Sequence, residues 1–359
     1  MNRLIRYLAL LISSLVHWLY LLLSPLYGQV LPDGGDRGNV RIAVPFLRIA
    51  PDTRSSGMGD VGVATRPDVN SIFWNSAKYG AIEDKFAIAA HYTPWLRNVV
   101  SDVRLMSMAS HYRLSERHTL AGGLRFFSWG DINFTDQQGQ YVQLVKPTEF
   151  AIDIAYAYRL TDGLALSITP RYIHSRLSAQ DIGYDIGGSS AFAMDLGFYA
   201  HHALSLGQRA SRMNYGLSVS NIGSPMTYGM DKEALPTNLK AGAGLDYGLD
   251  EASRLSFSVD INRLLVADND RQAEKASELS RYSLATGVEW DYNNQFALRA
   301  GYFHSQPQYG NRKYFTAGAT IDYGEWSFGT SYVLPTGRIN PLANTLRFSI
   351  SYRWSEYGL

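Results

Sequence analysis

The sequence predicts an all-β protein: a transmembrane antiparallel β-barrel of about fourteen strands, with its N-terminal segment plugging the lumen. Three observations carry this. From Phe86 onward apolar side chains recur with a period of two. The cleanest case is TLRFSISYRW, where Leu346, Phe348, Ile350, Tyr352 and Trp354 share one parity and Thr345, Arg347, Ser349, Ser351 and Arg353 the other. The alternating segments run for about 9–14 residues, enough for a tilted strand to cross a bilayer. The connections sort by parity into short and long, as periplasmic turns and extracellular loops do in bacterial outer-membrane barrels.

The elements follow in chain order. Arg3 and Arg6 precede an apolar run from Leu8 to Leu23, broken only by Ser13, Ser14 and His17, and SPLYGQ ends it. Residues 1–28 are therefore expected to be a secretory signal peptide cleaved near Gly28, an uncleaved anchor being the alternative. No later apolar run nears the ~20 residues of a spanning helix, so a membrane crossing must be made by a closed barrel.

Residues 29–85 do not alternate and are rich in Gly, Pro, Asp and Asn. A barrel this wide has a lumen to fill, and a compact plug is the economical use of the segment. The alternative on composition is a disordered periplasmic arm; Phe46, Leu47, Ile49, Ile72, Phe73 and Trp74 argue against it. Within the segment, SSGMGDVGVAT places Gly57, Gly59 and Gly62 in the dinucleotide-binding spacing G-x-G-x-x-G, and Glu83 and Asp84 lie about 20 residues on. That motif needs a strand before it and a helix after it. Here Pro51 precedes it and only four residues separate Gly62 from Pro67, which would break a helix there. The glycines read instead as turns that let a plug fold in a crowded space, with Asp60 making a local hydrogen bond.

Residues 86–359 form the barrel. The expected strands are 86–93, 102–114, 119–129, 147–160, 164–174, 190–203, 212–222, 237–249, 254–263, 281–291, 295–303, 312–323, 325–333 and 344–354. Tight links at 115–118, 161–163, 250–253, 292–294 and Gly324 alternate with long ones at 130–146, 175–189, 223–236, 264–280 and 334–343. Helical spacing is limited to Asp270–Ser280.

Composition excludes several classes. Of 359 residues none is cysteine, removing disulfides, thiol catalysis and thiolate metal sites. The formal net charge is +1, which gives no sign of nucleic-acid binding. No HExxH, G-x-S-x-G or Walker sequence occurs. His201 and His202 are adjacent on a strand and face opposite ways, so they cannot share a metal. His91, His111 and His174 stand in strands without ligand partners at metal spacing. Neither a metal nor a cofactor is expected. The carboxylates of Asp153, Asp195, Asp260 and Glu289 are expected to pair inside the lumen with Arg159, Arg299 or Arg347.

PFLRIAPDTRSSGMGDVGVATRPDVNSIFWNSAKYG, followed after one strand by YTPWLRNVVSD, resembles the PorV family, outer-membrane barrels of the Bacteroidetes type IX secretion system similar in architecture to the FadL transporters. FadL-like plugs carry Asn-Pro-Ala; here Asn75 and Ala77 match and Ser76 replaces the proline. The resemblance implies an integral outer-membrane protein without enzymatic activity. It would bind the C-terminal signal domain of cargo at the exit of the giant translocon barrel. It would then deliver cargo to a cell-surface sortase complex, where the protein is anchored to lipopolysaccharide. The other readings are a FadL-like transporter of hydrophobic compounds, with an apolar lumenal pocket beside Phe73 and Trp74, and a lipid-modifying barrel enzyme.

Two loops are the candidate docking surface. Pro94, Trp95, Leu96, Val99 and Val100 form an apolar cluster in the first extracellular loop, which reads equally as a partner contact or as aromatics folded onto the barrel mouth. Met226, Tyr228 and Met230 in GSPMTYGMDKEALP are soft contacts for varied partners, or the loop's own packing.

Overall fold

A computed structural model describes residues 42–95, 102–135, 138–177, 188–265, 282–305, 312–336 and 345–354. The signal-peptide segment, Asp270–Ser280, Leu96, Val99 and Val100 lie outside the described residues.

Among the described residues eighteen strands are present, fourteen of which close the barrel. These are β1 (Phe86–Pro94), β2 (Arg104–Arg113), β3 (His118–Ser128), β6 (Thr148–Thr161), β7 (Leu164–Arg176), β8 (Gly188–Leu206), β9 (Arg209–Gly223), β12 (Asn238–Gly248), β13 (Ser253–Leu264), β14 (Tyr282–Tyr292), β15 (Phe296–Ser305), β16 (Lys313–Tyr323), β17 (Trp326–Pro335) and β18 (Leu346–Trp354). Each pairs antiparallel with its neighbour, and β1 closes on β18 through the register Phe86 to Trp354 and Tyr92 to Phe348. Closure leaves no free edge in the membrane. The remaining strands form two hairpins in the long loops: β4 (Ile132–Thr135) with β5 (Tyr141–Val145), and β10 (Met226–Tyr228) with β11 (Asp231–Glu233).

Every expected barrel strand is found. The largest boundary difference lies between β8 and β9. Alternation continues through Leu204 and Leu206, so the two strands run on to a tight turn at Gly207, whose φ is +66°. The turn between β14 and β15 uses Asn293 and Asn294, both at positive φ, where asparagine is tolerated.

Outward positions are apolar and exposed, Ile154 at 61% and Phe192 at 73% among them. Rings gather at both ends of this face. Trp326 lies 5.1 Å from Tyr352 at the short-turn end, and Phe150, Tyr172 and Phe192 form a chain at the long-loop end. Two aromatic girdles about an apolar band are the signature of an outer-membrane barrel. His201 sits by Tyr199 on the lumen side while His202 stacks on the outward Tyr215, opposite faces as the strand geometry requires.

Residues 42–85 occupy the lumen. They make a single α-helical turn, α1 (Thr53–Gly57), and three 3-10 turns at Pro45–Arg48, Val69–Phe73 and Ser76–Ala81. Room for them comes from small residues at inward positions of the wall. Val69, Ile72, Tyr79 and Ile82 pack on Ala87, Ala89, Ala109, Ala121, Ala155 and Ala157. Nearer the long loops, Val44, Phe46, Leu47 and Ile49 pack on Leu105, Phe127, Ile173 and Met226.

Candidate functional site

Two regions carry the candidate functional side chains: the plug, which fills the lumen, and the extracellular mouth above it.

The plug is fastened by its own turn chemistry. Asp52, fully buried, caps α1, with Oδ1 accepting from the Ser55 N–H at 2.8 Å and Oδ2 from Trp74 Nε1–H at 2.6 Å. Asp68 and Ser71 form a capping box on the next turn. Asn75 caps the last turn through Oδ1, and its Nδ2 donates to Val63 O at 3.1 Å and to Phe198 O on β8 at 2.8 Å. Ser76, in the family's proline position, accepts from Thr169 Oγ1–H of β7 at 2.9 Å.

Polar groups of the wall bind the plug backbone. Asp260 Oδ2 accepts from the N–H groups of Gly62 and Val63 at 2.7 and 3.0 Å. Thr316 Oγ1 accepts from Gly59 N–H and donates to Gly57 O. Ser56 and Ser331 hydroxyls meet at 2.7 Å. Arg54 donates to Glu289 from Nε at 2.9 Å and Nη2 at 2.8 Å, and from Nη1 to Asp68 at 2.9 Å; Arg299 completes Glu289 at 2.6 Å.

The three glycines of G-x-G-x-x-G are required by close approach. A side chain on Gly62 would enter the Trp74 ring, and Gly59, at φ +71°, faces the Tyr302 backbone. The wall answers with its own glycines: Gly301 and Gly287 accept the Met58 backbone, and Gly216 accepts Val63 O. Phe73 is half-buried, while Trp74, Asn75 and Ala77 are buried.

The lumenal charge pairing differs from expectation. Asp153 pairs with Arg125 and Arg171, and Asp195 with Arg171. Asp260 serves the plug backbone. Arg159 instead meets the exposed Asp162 at a turn, and Arg347, 3% exposed, has no partner for Nε or Nη1 among the described residues. Only Glu289 with Arg299 is paired as expected. Asp60 accepts from Tyr314 Oη–H on β16 at 2.5 Å, a bond across the fold rather than a local one; burial pushes its carboxyl up from the ordinary value.

Above the plug lies a cavity of about 70 Å³ bordered by Phe73 and Trp74. Its other walls include Arg48, Asp60, Arg125, Arg171, Asp195 and Lys240. The apolar pocket expected there is thus replaced by a small, charged space.

At the mouth, Pro94 ends β1 and the Trp95 ring is half-buried, packed on two of the buried clusters. Met226 is fully buried and Tyr228 half-buried above it, its hydroxyl pushed up to about 12 by burial. Met226 therefore presents no surface to a partner. The cause is that β10 folds onto β8, where Thr227 N–H donates to Ser189 Oγ at 3.0 Å, turning Met226 inward. Met230, beside Gly229 at φ +60°, is 101% exposed. Sequence reading missed the β4–β5 hairpin, which exposes Ile132, Tyr141, Val142 and Leu144. Its signal was the short apolar run YVQLV inside a long link.

A family model described as type IX secretion system protein PorV matches residues 34–271. Among solved structures, the CymD monoaromatic hydrocarbon channel aligns over 86% of this chain and 98% of its own at 12% identity, with a TM-score of 0.50. The Ralstonia pickettii toluene transporter TbuX aligns over 85% and 98% at 12% identity, TM-score 0.49. A Pseudomonas aeruginosa FadL homologue aligns over 89% and 100% at 12% identity, TM-score 0.43. Such identities speak to fold alone. No curated protein sequence matches the chain.

Proposed function

The chain belongs to the PorV family, which makes it an integral outer-membrane component of type IX secretion, and on that premise we propose that it works as a surface adaptor. It binds the C-terminal signal domain of cargo at the exit of the giant translocon barrel. It then hands the cargo to the cell-surface sortase complex for attachment to lipopolysaccharide. It performs no catalysis itself.

The observation that carries this reading is the plugged lumen. The plug is tied to the wall by buried polar contacts on several strands, and the space beside Phe73 and Trp74 is small and charged. The loop face is left as the working surface, with Met230 and the β4–β5 hairpin its most accessible apolar contacts. A photo-crosslinker at Met230 in intact cells is expected to capture signal-domain proteins, while one at the buried Met226 captures none. Normal surface delivery of secreted proteins in a deletion strain would sink the proposal.

Plug movement has its own test. Because the chain has no cysteine, a Ser56→Cys/Ser331→Cys pair gives a single disulfide fastening plug to wall. Secretion is expected to continue unchanged in the oxidised protein. If secretion stops on oxidation and returns on reduction, plug movement is part of the function and the adaptor reading in this form is wrong.

A further inference from the structure

Among the described residues, the cavity above the plug is bordered by five basic side chains, Arg48, Arg125, Arg171, Lys240 and Arg312, and by two acidic ones, Asp60 and Asp195. Asp60 stands there with Oδ2 bound by Tyr314 Oη–H and Oδ1 without a partner. The cations acting on it are Arg347, Arg312 and Lys240. None of the three forms an ion pair within 4.0 Å among the described residues. Lys240 Nζ lies 4.7 Å from the centre of the Trp74 ring, and the Arg312 guanidinium 5.3 Å from that of Phe303. These ring contacts orient the cations without neutralising them. Lys240, Arg312 and Asp60 all border the cavity above the plug.

Lys240 and Arg312, without ion pairs among the described residues and bordering a partly desolvated space whose Asp60 is already bound to Tyr314, are unfavourably placed without an anion. Of the neighbouring acids, Asp195 is held by Arg171, while Asp260, whose charge also acts on Lys240, spends Oδ2 on the plug backbone and forms no ion pair within 4.0 Å among the described residues. The cavity, about 70 Å³, admits a group of carboxylate size, and Leu47, Phe73, Trp74 and Leu264 supply apolar walls beside it. That combination suits an acidic side chain flanked by apolar residues better than a sugar-phosphate headgroup, which brings several bulky polar substituents.

We propose that Lys240 and Arg312 form a carboxylate-binding site at the floor of the mouth, which anchors an acidic residue of a polypeptide entering the barrel from outside. The site rests on the reading that the mouth meets a polypeptide partner, and it names what that partner must present. A glutamate carboxylate seated there bridges Lys240 and the Arg312 guanidinium through charge-assisted hydrogen bonds.

The test is calorimetric titration of the purified full-length barrel in detergent. The probes are a blocked tripeptide with a central glutamate between two leucines, its glutamine counterpart and inorganic phosphate. The glutamate peptide is expected to bind at least tenfold tighter than the glutamine peptide. Lys240→Gln and Arg312→Gln are each expected to weaken it about tenfold while the heat-modifiable folded band on a gel stays intact. Equal binding of the two peptides, no binding of either, or tight binding of phosphate alone overturns the proposal, the last in favour of a lipid headgroup. A barrel that binds the glutamate peptide yet captures no signal-domain protein sinks the adaptor function and spares the site; the opposite pair of results sinks the site alone.

Discussion

Replacing Gly301 by valine is expected to unseat the plug and leave the barrel leaky or unfolded. A Cβ at this position would fall inside the peptide joining Met58 to Gly59, and neither side has freedom to withdraw. The plug chain there is held by Thr316 through Gly59 N–H and Gly57 O, and β15 is held by β14 and β16. Overpacking of a filled interior costs about 1–3 kcal/mol even where neighbours can shift, and a backbone clash has less room for relief. The readouts are the folded fraction on a heat-modifiability gel and outer-membrane permeability to a bulky antibiotic. Gly122→Ala is the control, because its nearest neighbour is Ser110 Oγ at 3.5 Å, an ordinary contact. Wild-type folding and permeability in Gly301→Val would show that plug and wall do not touch as described.

Arg54→Gln is expected to cost about 3–5 kcal/mol of stability, the range for removing one partner of a buried ion pair. The side chain is 16% exposed and serves two carboxylates, Glu289 on the wall and Asp68 in the plug. Its removal takes the bidentate partner from Glu289, leaving it with Arg299 alone, and takes the single Nη1 hydrogen bond from Asp68. The charge is lost where the plug crosses from α1 to the Asp68 turn, so both turns loosen together. The measurement is the urea midpoint of the barrel in detergent followed by tryptophan emission, with Glu289→Gln as the partner deletion. A loss below about 1 kcal/mol would place the pair in the class of solvent-screened surface bridges and remove it as a fastener.

Much of the barrel was legible before folding. Parity alone separated Phe348 and Ile350 from Arg347 and Ser349, and all fourteen barrel strands lie where the alternation put them. The pattern works because side chains on a strand must alternate, and lipid and lumen impose opposite demands on the two faces. The inward face was harder to read. The last strand is wholly polar on that face, whereas Ala87, Ala109, Ala155 and Gly301 stand at inward positions because the plug, and not water, occupies that part of the lumen. A small residue at an inward position carries no hydropathy signal, so only its neighbours reveal its purpose.

The loops show the same division. Asp52, Asp68 and Asn75 precede short helical turns as caps, a signal present in the sequence at PDTRSS, PDVNS and NSAK. Met226 and Met230 are four residues apart in one hairpin, and nothing local tells that one is buried and the other fully exposed.

The sequence by itself determined the class of the protein: period-two patterning, strand length and loop parity are local properties, and they suffice for an outer-membrane barrel with a filled lumen. Tertiary structure decided which acids meet which cations, which glycines are indispensable and which loop residues face outward. Asp260 lies 198 positions from Gly62, and Arg54 lies 235 from Glu289. Contacts at such separations are set by barrel closure and by the path of the plug, because charge and shape must be matched across the lumen after the chain has been brought together.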